Sequence, residues 1–154
     1  MVVNGYSSRW LEQGFDWVYP KELVAKPPKV RSGDMVRIRS EKGAEHGTGI
    51  WDEGWIAVRR FRGDHGPIDA ALLGERLDRA FSLRRRLIGA DTSAFRWVNA
   101  ENDSLPGIRV DAYGHFLVVS LDLPTPAPIV PSPPSHSAST SNCPVTSLPA
   151  AHAP

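Results

Sequence analysis

All thirty-five charged residues of this 154-residue chain lie at or before Asp122, and residues 123–154 carry none. The break follows directly on an apolar run, His115 to Leu121, so a folding pattern stops in mid-construction. From Pro124 onward, nine of thirty-one residues are proline, nine are serine or threonine and five are alanine. A segment this poor in large apolar side chains cannot offset the entropy of ordering its backbone. Residues 124–154 are therefore expected to be a disordered tail, and the core must come from residues 1–123.

That length has room for one ordinary domain or two small ones. Its 18 basic and 17 acidic residues nearly cancel, so overall charge selects no partner, although local clusters still can. Cys143, the only cysteine, sits in the tail, where it can form no intramolecular disulfide and has no activating neighbours. The apolar runs are too short to span a membrane, and the N-terminus lacks the basic and apolar regions of a signal peptide. A soluble cytoplasmic protein is expected. The five histidines, His46, His65, His115, His136 and His152, are scattered without metal-ligand spacing, so no metal is expected.

Residues 1–66 read as a small all-β barrel, with short alternating runs separated by turn clusters. Strands are expected over Asp34 to Ser40, Gly47 to Trp51 and Trp55 to Phe61. Gly63 to Pro67 ends this region, and the period then becomes helical. Leu72, Leu73, Leu77, Ala80, Phe81, Leu87 and Ile88 recur at three- and four-residue spacings, the pattern of a buried helical stripe. Asp69 is the expected N-cap and Gly89 the expected stop, with Arg84, Arg85 and Arg86 complementing the dipole of the last turn. Strands return at Phe95 to Val98, Ile108 to Asp111 and His115 to Leu121, the last two joined by a hairpin whose Gly114 suits a left-handed position. The fold class is α+β: a barrel over 1–66, then a helix and an incomplete antiparallel sheet over 67–123.

The run Asn99-Ala100-Glu101-Asn102-Asp103-Ser104-Leu105-Pro106-Gly107-Ile108-Arg109-Val110-Asp111-Ala112-Tyr113-Gly114 resembles the E-x-D-G-L-P-G-h-x-V-D-x-Y/F-G segment of SAM-dependent class I rRNA methyltransferases of the large-subunit cytosine-C5 type. Those proteins open with a PUA barrel. Gly14-Phe15-Asp16-Trp17-Val18-Tyr19 resembles its H-P-W-V-F segment, Gly33-Asp34-Met35-Val36 its G-E-x-V strand start, and Trp55 to Phe61 its closing I-x-V-R strand. The resemblance covers residues from about 7 to 123, with Phe15-Asp16 departing from His-Pro. It implies RNA as partner, rRNA in particular, and a role in rRNA processing. Within it Asp103, Leu105, Pro106, Gly107, Asp111 and Gly114 form the signature. Turn and hairpin construction is the expected role of Asp103 and Asp111.

The family continues into a Rossmann-type domain that holds SAM and the catalytic cysteine. No glycine-rich strand-to-helix turn follows Leu123, so no cofactor is expected in this chain and no methyl transfer from it alone. A frameshift over the tail, a catalytic domain supplied by another chain, and a non-functional remnant all remain open, and the α+β region is a candidate dimer surface. Nucleic-acid chemistry is better represented. Arg37, Arg39, Arg59, Arg60 and Arg62 fall on two barrel strands interleaved with Trp51, Trp55 and Phe61, and Trp17 joins them as a candidate. Guanidinium forks bind phosphate, and aromatic faces stack on exposed bases. The alternative is an ordinary solvated strand face with its tryptophans inward.

Overall fold

Val2 and Val3 form β1, and Asn4 turns the chain at once into α1 (Gly5–Glu12). The Asn4 side chain accepts from the Ser7 amide at 2.9 Å, satisfying one of the helix's orphan donors. This helix corrects the all-β expectation for residues 1–66. Its buried face is Ser7, Ser8 and Leu11, so it shows no apolar stripe to read in the sequence. The computed structural model describes residues 1–123. The expected tail, with Cys143, His136 and His152, lies outside them.

Five further strands complete the first sheet: β2 (Trp17–Val18), β3 (Leu23–Ala25), β4 (Met35–Ser40), β5 (Glu45–Trp51) and β6 (Val58–Arg62). Their order is β2-β6-β5-β4-β1-β3, a nearly closed barrel-like sheet. β1 runs parallel to β4, and every other pairing is antiparallel. β4 shows strict two-residue alternation, with Val36, Ile38 and Ser40 inward and Met35, Arg37 and Arg39 outward. Val3, Leu11, Val18, Val36, Ile38, Trp51, Ala57 and Val58 form the core. The last strand starts three residues later than its sequence suggests, because Trp55 to Ala57 belong to the β5–β6 loop.

Gly47 sets the approach of β5 to the end of β6. Its φ is +101°, and a Cβ there would lie 1.8 Å from the Arg62 carbonyl oxygen. No side chain can occupy that space without moving backbone.

Contacts divide the described chain between Leu73 and Gly74, within α2 (Ala70–Leu87), rather than at the turn after residue 66. Asp69 caps this helix as expected, its carboxylate accepting from the Leu72 amide at 3.0 Å. The second unit adds β7 (Ala94–Asn99), β8 (Ile108–Tyr113) and β9 (Phe116–Leu121), an antiparallel sheet in that order. The expected helical stripe is buried only at Ala80. Leu72, Leu73 and Leu77 are half-buried, while Phe81 and Leu87 are exposed. Phe81 instead meets Trp97 with ring centroids 5.2 Å apart.

Gly47→Ala is expected to destabilise the protein by more than about 4 kcal/mol, since backbone must shift and a left-handed residue is lost. Gly43→Ala, also at positive φ but with open space around it, is expected to cost about 1–2 kcal/mol. Denaturant unfolding of both variants checks the difference, and equal costs would contradict the close approach at Gly47.

Candidate nucleic-acid interface

The candidate arginines separate into two groups by where their strands aim them. On β4, Arg37 and Arg39 project outward. Arg37 is exposed, and Arg39 pairs with Glu45 across the β4–β5 ladder at 2.8 Å with half its side chain in solvent. The Met1 ammonium donates to the Arg37 carbonyl at 2.8 Å. Burial lowers its pKa, and the Arg39 charge lowers it further.

On β6 the arginines are structural. Arg59 is 9% exposed, and its guanidinium meets the Asp52 carboxylate at 3.0 Å. That pairing ties the β5–β6 loop to the strand that follows it. Arg60 donates to Asp16 at 2.8 Å and to the Leu11 carbonyl at 2.9 Å, joining β6 to the end of α1 and the start of β2. Asp16 thus has a use in this chain that the H-P-W-V-F pattern does not provide. Arg62 grips Asp64 with two donors, at 2.5 and 2.9 Å, and holds that carboxyl down to about 2, with the Gly66 amide assisting. The spacing that interleaved all five arginines with aromatics does not bring them to one surface.

The aromatic candidates also divide. Trp51 is buried in the core, whereas Trp55 is 93% exposed at the tip of the β5–β6 loop. Trp17 is partly exposed on β2, opposite Arg59. An open groove lies beside Trp55, lined by Tyr19, Pro20, Lys21, Glu53 and Gly54.

His46, scattered in the sequence without metal-ligand spacing, has its Nε2 2.8 Å from Ser8 Oγ in a buried contact between β5 and α1. Burial pushes the imidazole pKa down, Glu12 opposes this, and Arg60 reinforces it. Closed off from solvent, the pair docks the helix on the sheet. Its signal was missed because a lone histidine 38 residues from its serine partner has no local pattern.

The signature residues build a turn in the second unit. Asp103 accepts two hydrogen bonds from Arg84 at 2.6 and 2.7 Å and one from the Asn99 amide at 2.6 Å. Arg84, in the last turn of α2 as expected with Arg85 and Arg86, also holds this turn. Leu105, Pro106 and Gly107 are buried behind it, and Gly107 takes φ +71°. Ser104 stands left-handed at φ 58°, and its carbonyl accepts from Arg76. Asp111 pairs with Arg96 across β7 and β8 at 2.8 Å, and Gly114 takes φ +58° in the hairpin. Among the described residues no cluster of three or more His, Cys, Asp or Glu could hold a metal ion. No helix among them is long and apolar enough to cross a membrane.

A nearly closed small barrel with a capped helix after its first strand defines a class of module, and residues 2–62 match the PUA-like domain family. The wider chain is similar to the N-terminal region of rRNA methyltransferases. It is 34% identical over 125 residues to ribosomal RNA large subunit methyltransferase I of Alteromonas mediterranea, covering 79% of this chain and 31% of that protein. The Salmonella arizonae protein of the same name is 31% identical over 124 residues, with the same coverage. The chain thus spans under a third of these relatives. A solved SAM-dependent methyltransferase from Streptococcus mutans shares the fold at a TM-score of 0.71 and 16% identity, covering 80% of this chain and 32% of that one. A methyltransferase structure complexed with SAH gives 0.69 at 17% identity, with the same coverage.

Arg60→Ala is expected to cost about 2 kcal/mol of stability, because Asp16 and the Leu11 carbonyl lose a charged donor. Arg37→Ala is expected to stay within about 0.5 kcal/mol of wild type. Thermal melts of the two variants decide this, and a destabilised Arg37→Ala would contradict its placement in solvent.

His46 makes stability depend on pH. A lowered folded-state pKa means that the unfolded chain protonates first as pH falls. Stability is therefore full above the ordinary histidine value of about 6.5 and declines below it, until folded His46 itself titrates. Urea unfolding between pH 7.5 and 5.5 should show this decline, and His46→Gln should flatten it. An unchanged slope in the variant would place the dependence elsewhere.

Proposed function

We propose that the PUA-like barrel binds RNA through the outward face of β4, as the RNA-holding part of an rRNA methyltransferase-like protein. The observation that carries this is the alternation of β4, which buries Val36 and Ile38 and thereby delivers Arg37 and Arg39 together to solvent. The resemblance of the flanking sequence to rRNA methyltransferases makes structured rRNA the favoured class of ligand.

Methyl transfer is assigned outside residues 1–123, and SAM is not assigned to them. Among the described residues the parallel strand pair is β1 with β4. β1 is two residues long, and the Ser7 donor at the helix start behind it is already taken by Asn4.

RNA binding should be salt-sensitive, because each phosphate contact releases counterions. A dissociation constant of about 1 µM or weaker is expected at physiological salt for so few contacts. Arg37→Ala with Arg39→Ala should weaken binding and reduce the salt slope by about one to two units, while leaving the melting temperature unchanged. Anisotropy titrations of the full chain with an rRNA fragment across a salt series measure both quantities. Binding and slope that match wild type would remove RNA from the β4 face.

A further inference from the structure

Trp55 is the most exposed of the large hydrophobic side chains described, at 93%, and its loop is not free to fold it away. The Asp52 amide donates to the Ala57 carbonyl at 2.8 Å, closing the loop at its base. Asp52 then accepts from the Gly54 amide at 3.1 Å and from Arg59 at 3.0 Å. The Glu53 amide donates to Ser32 Oγ at 3.0 Å, fixing the loop from its other side. A large apolar ring held in water by four polar contacts is unfavourable by itself. The same arrangement presents an indole face at little further entropic cost to whatever stacks on it.

Across the groove, Tyr19 is fixed in the same manner. The buried Glu22 side chain accepts from the Tyr19 amide at 3.0 Å, and the Glu22 amide donates to the Tyr19 carbonyl at 3.0 Å. Two partly or fully exposed rings thus border one open groove, with Lys21 and Glu53 also lining it. Lys21 and Glu53 are both solvent-exposed, placing one cation and one acceptor at the groove.

We propose that this groove takes a single unstacked nucleobase of single-stranded RNA, stacked on Trp55, with Lys21 on a neighbouring phosphate. Splayed bases are recognised by stacking on aromatic faces, a contact available to every base. The Glu53 carboxylate can accept from an edge donor of a stacked base, the amine of cytosine or the ring N3–H of uracil alike, so stacking on the indole supplies the main contact. The inference rests on the RNA function proposed above but uses different residues from the β4 face. Phosphate contacts there set affinity and salt dependence, whereas the groove reads bases.

The test uses the full chain with a labelled cytosine hexamer and an abasic ribose-phosphate hexamer of equal charge. Wild type should bind the base-bearing strand more tightly. Trp55→Ala should lose about 5- to 150-fold on that strand and nothing on the abasic one, with the salt slope unchanged. Trp55→Phe should recover most of the loss. Because the ring is exposed, melting temperatures should be equal across these variants. If Trp55→Ala matches wild type on the base-bearing strand while Arg37→Ala with Arg39→Ala is weakened, the groove is overturned and RNA binding by β4 stands. If wild type binds neither strand nor structured rRNA, both fail. Quenching of Trp55 by an added protein partner, with no base preference, would also overturn the proposal.

Discussion

Arg60 joins the last strand of the barrel to the end of α1 and the approach to β2, 44 to 49 residues earlier in the chain. Its amide donates to the Asp16 carbonyl at 2.7 Å, its guanidinium meets the Asp16 carboxylate, and a further donor reaches Leu11, 49 residues away. Few residues of this small core could substitute for that junction. With β2 only two residues long, the edge of the sheet depends on it. Once Arg60 is committed inward, Arg59 on the same strand is free to brace the β5–β6 loop through Asp52. The β6 arginines thus stabilise the frame, and among the barrel-strand arginines the solvent-facing ones are Arg37 and Arg39 on β4.

This division of labour could not be read from spacing. The sequence shows five arginines on two alternating runs, and alternation alone assigns faces without saying which face is paired. Asp16 is 44 residues from Arg60, so no local pattern announces their contact. α1 was hidden for a different reason. Its inward residues are two serines and a leucine, and its docking is completed by Ser8 with His46, a polar contact that apolar periodicity does not detect. The stripe expected in α2 was legible as a helix but misleading about burial, because of its residues Ala80 alone is buried, while Phe81 and Leu87 are exposed and Phe81 meets the Trp97 ring.

Other elements were legible because the backbone itself demanded them. Gly114 had to be left-handed to close a tight hairpin, and it is. Asp69 preceded a helical period and caps it. The run from Asn99 to Gly114 was recognisable because its turn combines positive-φ positions at Ala100, Ser104 and Gly107 with a carboxylate that satisfies both Arg84 and the Asn99 amide. Such a turn tolerates few alternatives, so its sequence stays identifiable where surface strands do not. Trp55 was read within a strand because the nearby Ile56 and Val58 are β-branched and suit strands. Only the hydrogen bond from the Asp52 amide to the Ala57 carbonyl shows that the strand begins at Val58.

The barrel keeps the residues that hold it together apart from those of the proposed RNA surface. Isotope-labelled full chain titrated with a single-stranded rRNA fragment tests that separation most directly, by the location of amide and indole chemical-shift changes. Changes should gather at Arg37, Arg39, Lys21 and the Trp55 indole, with residues 74–122 and the Ser8–His46 contact undisturbed. Changes confined to residues 74–122, or an undisturbed β4 and Trp55 at saturating RNA, would contradict the assignment of RNA binding to the barrel.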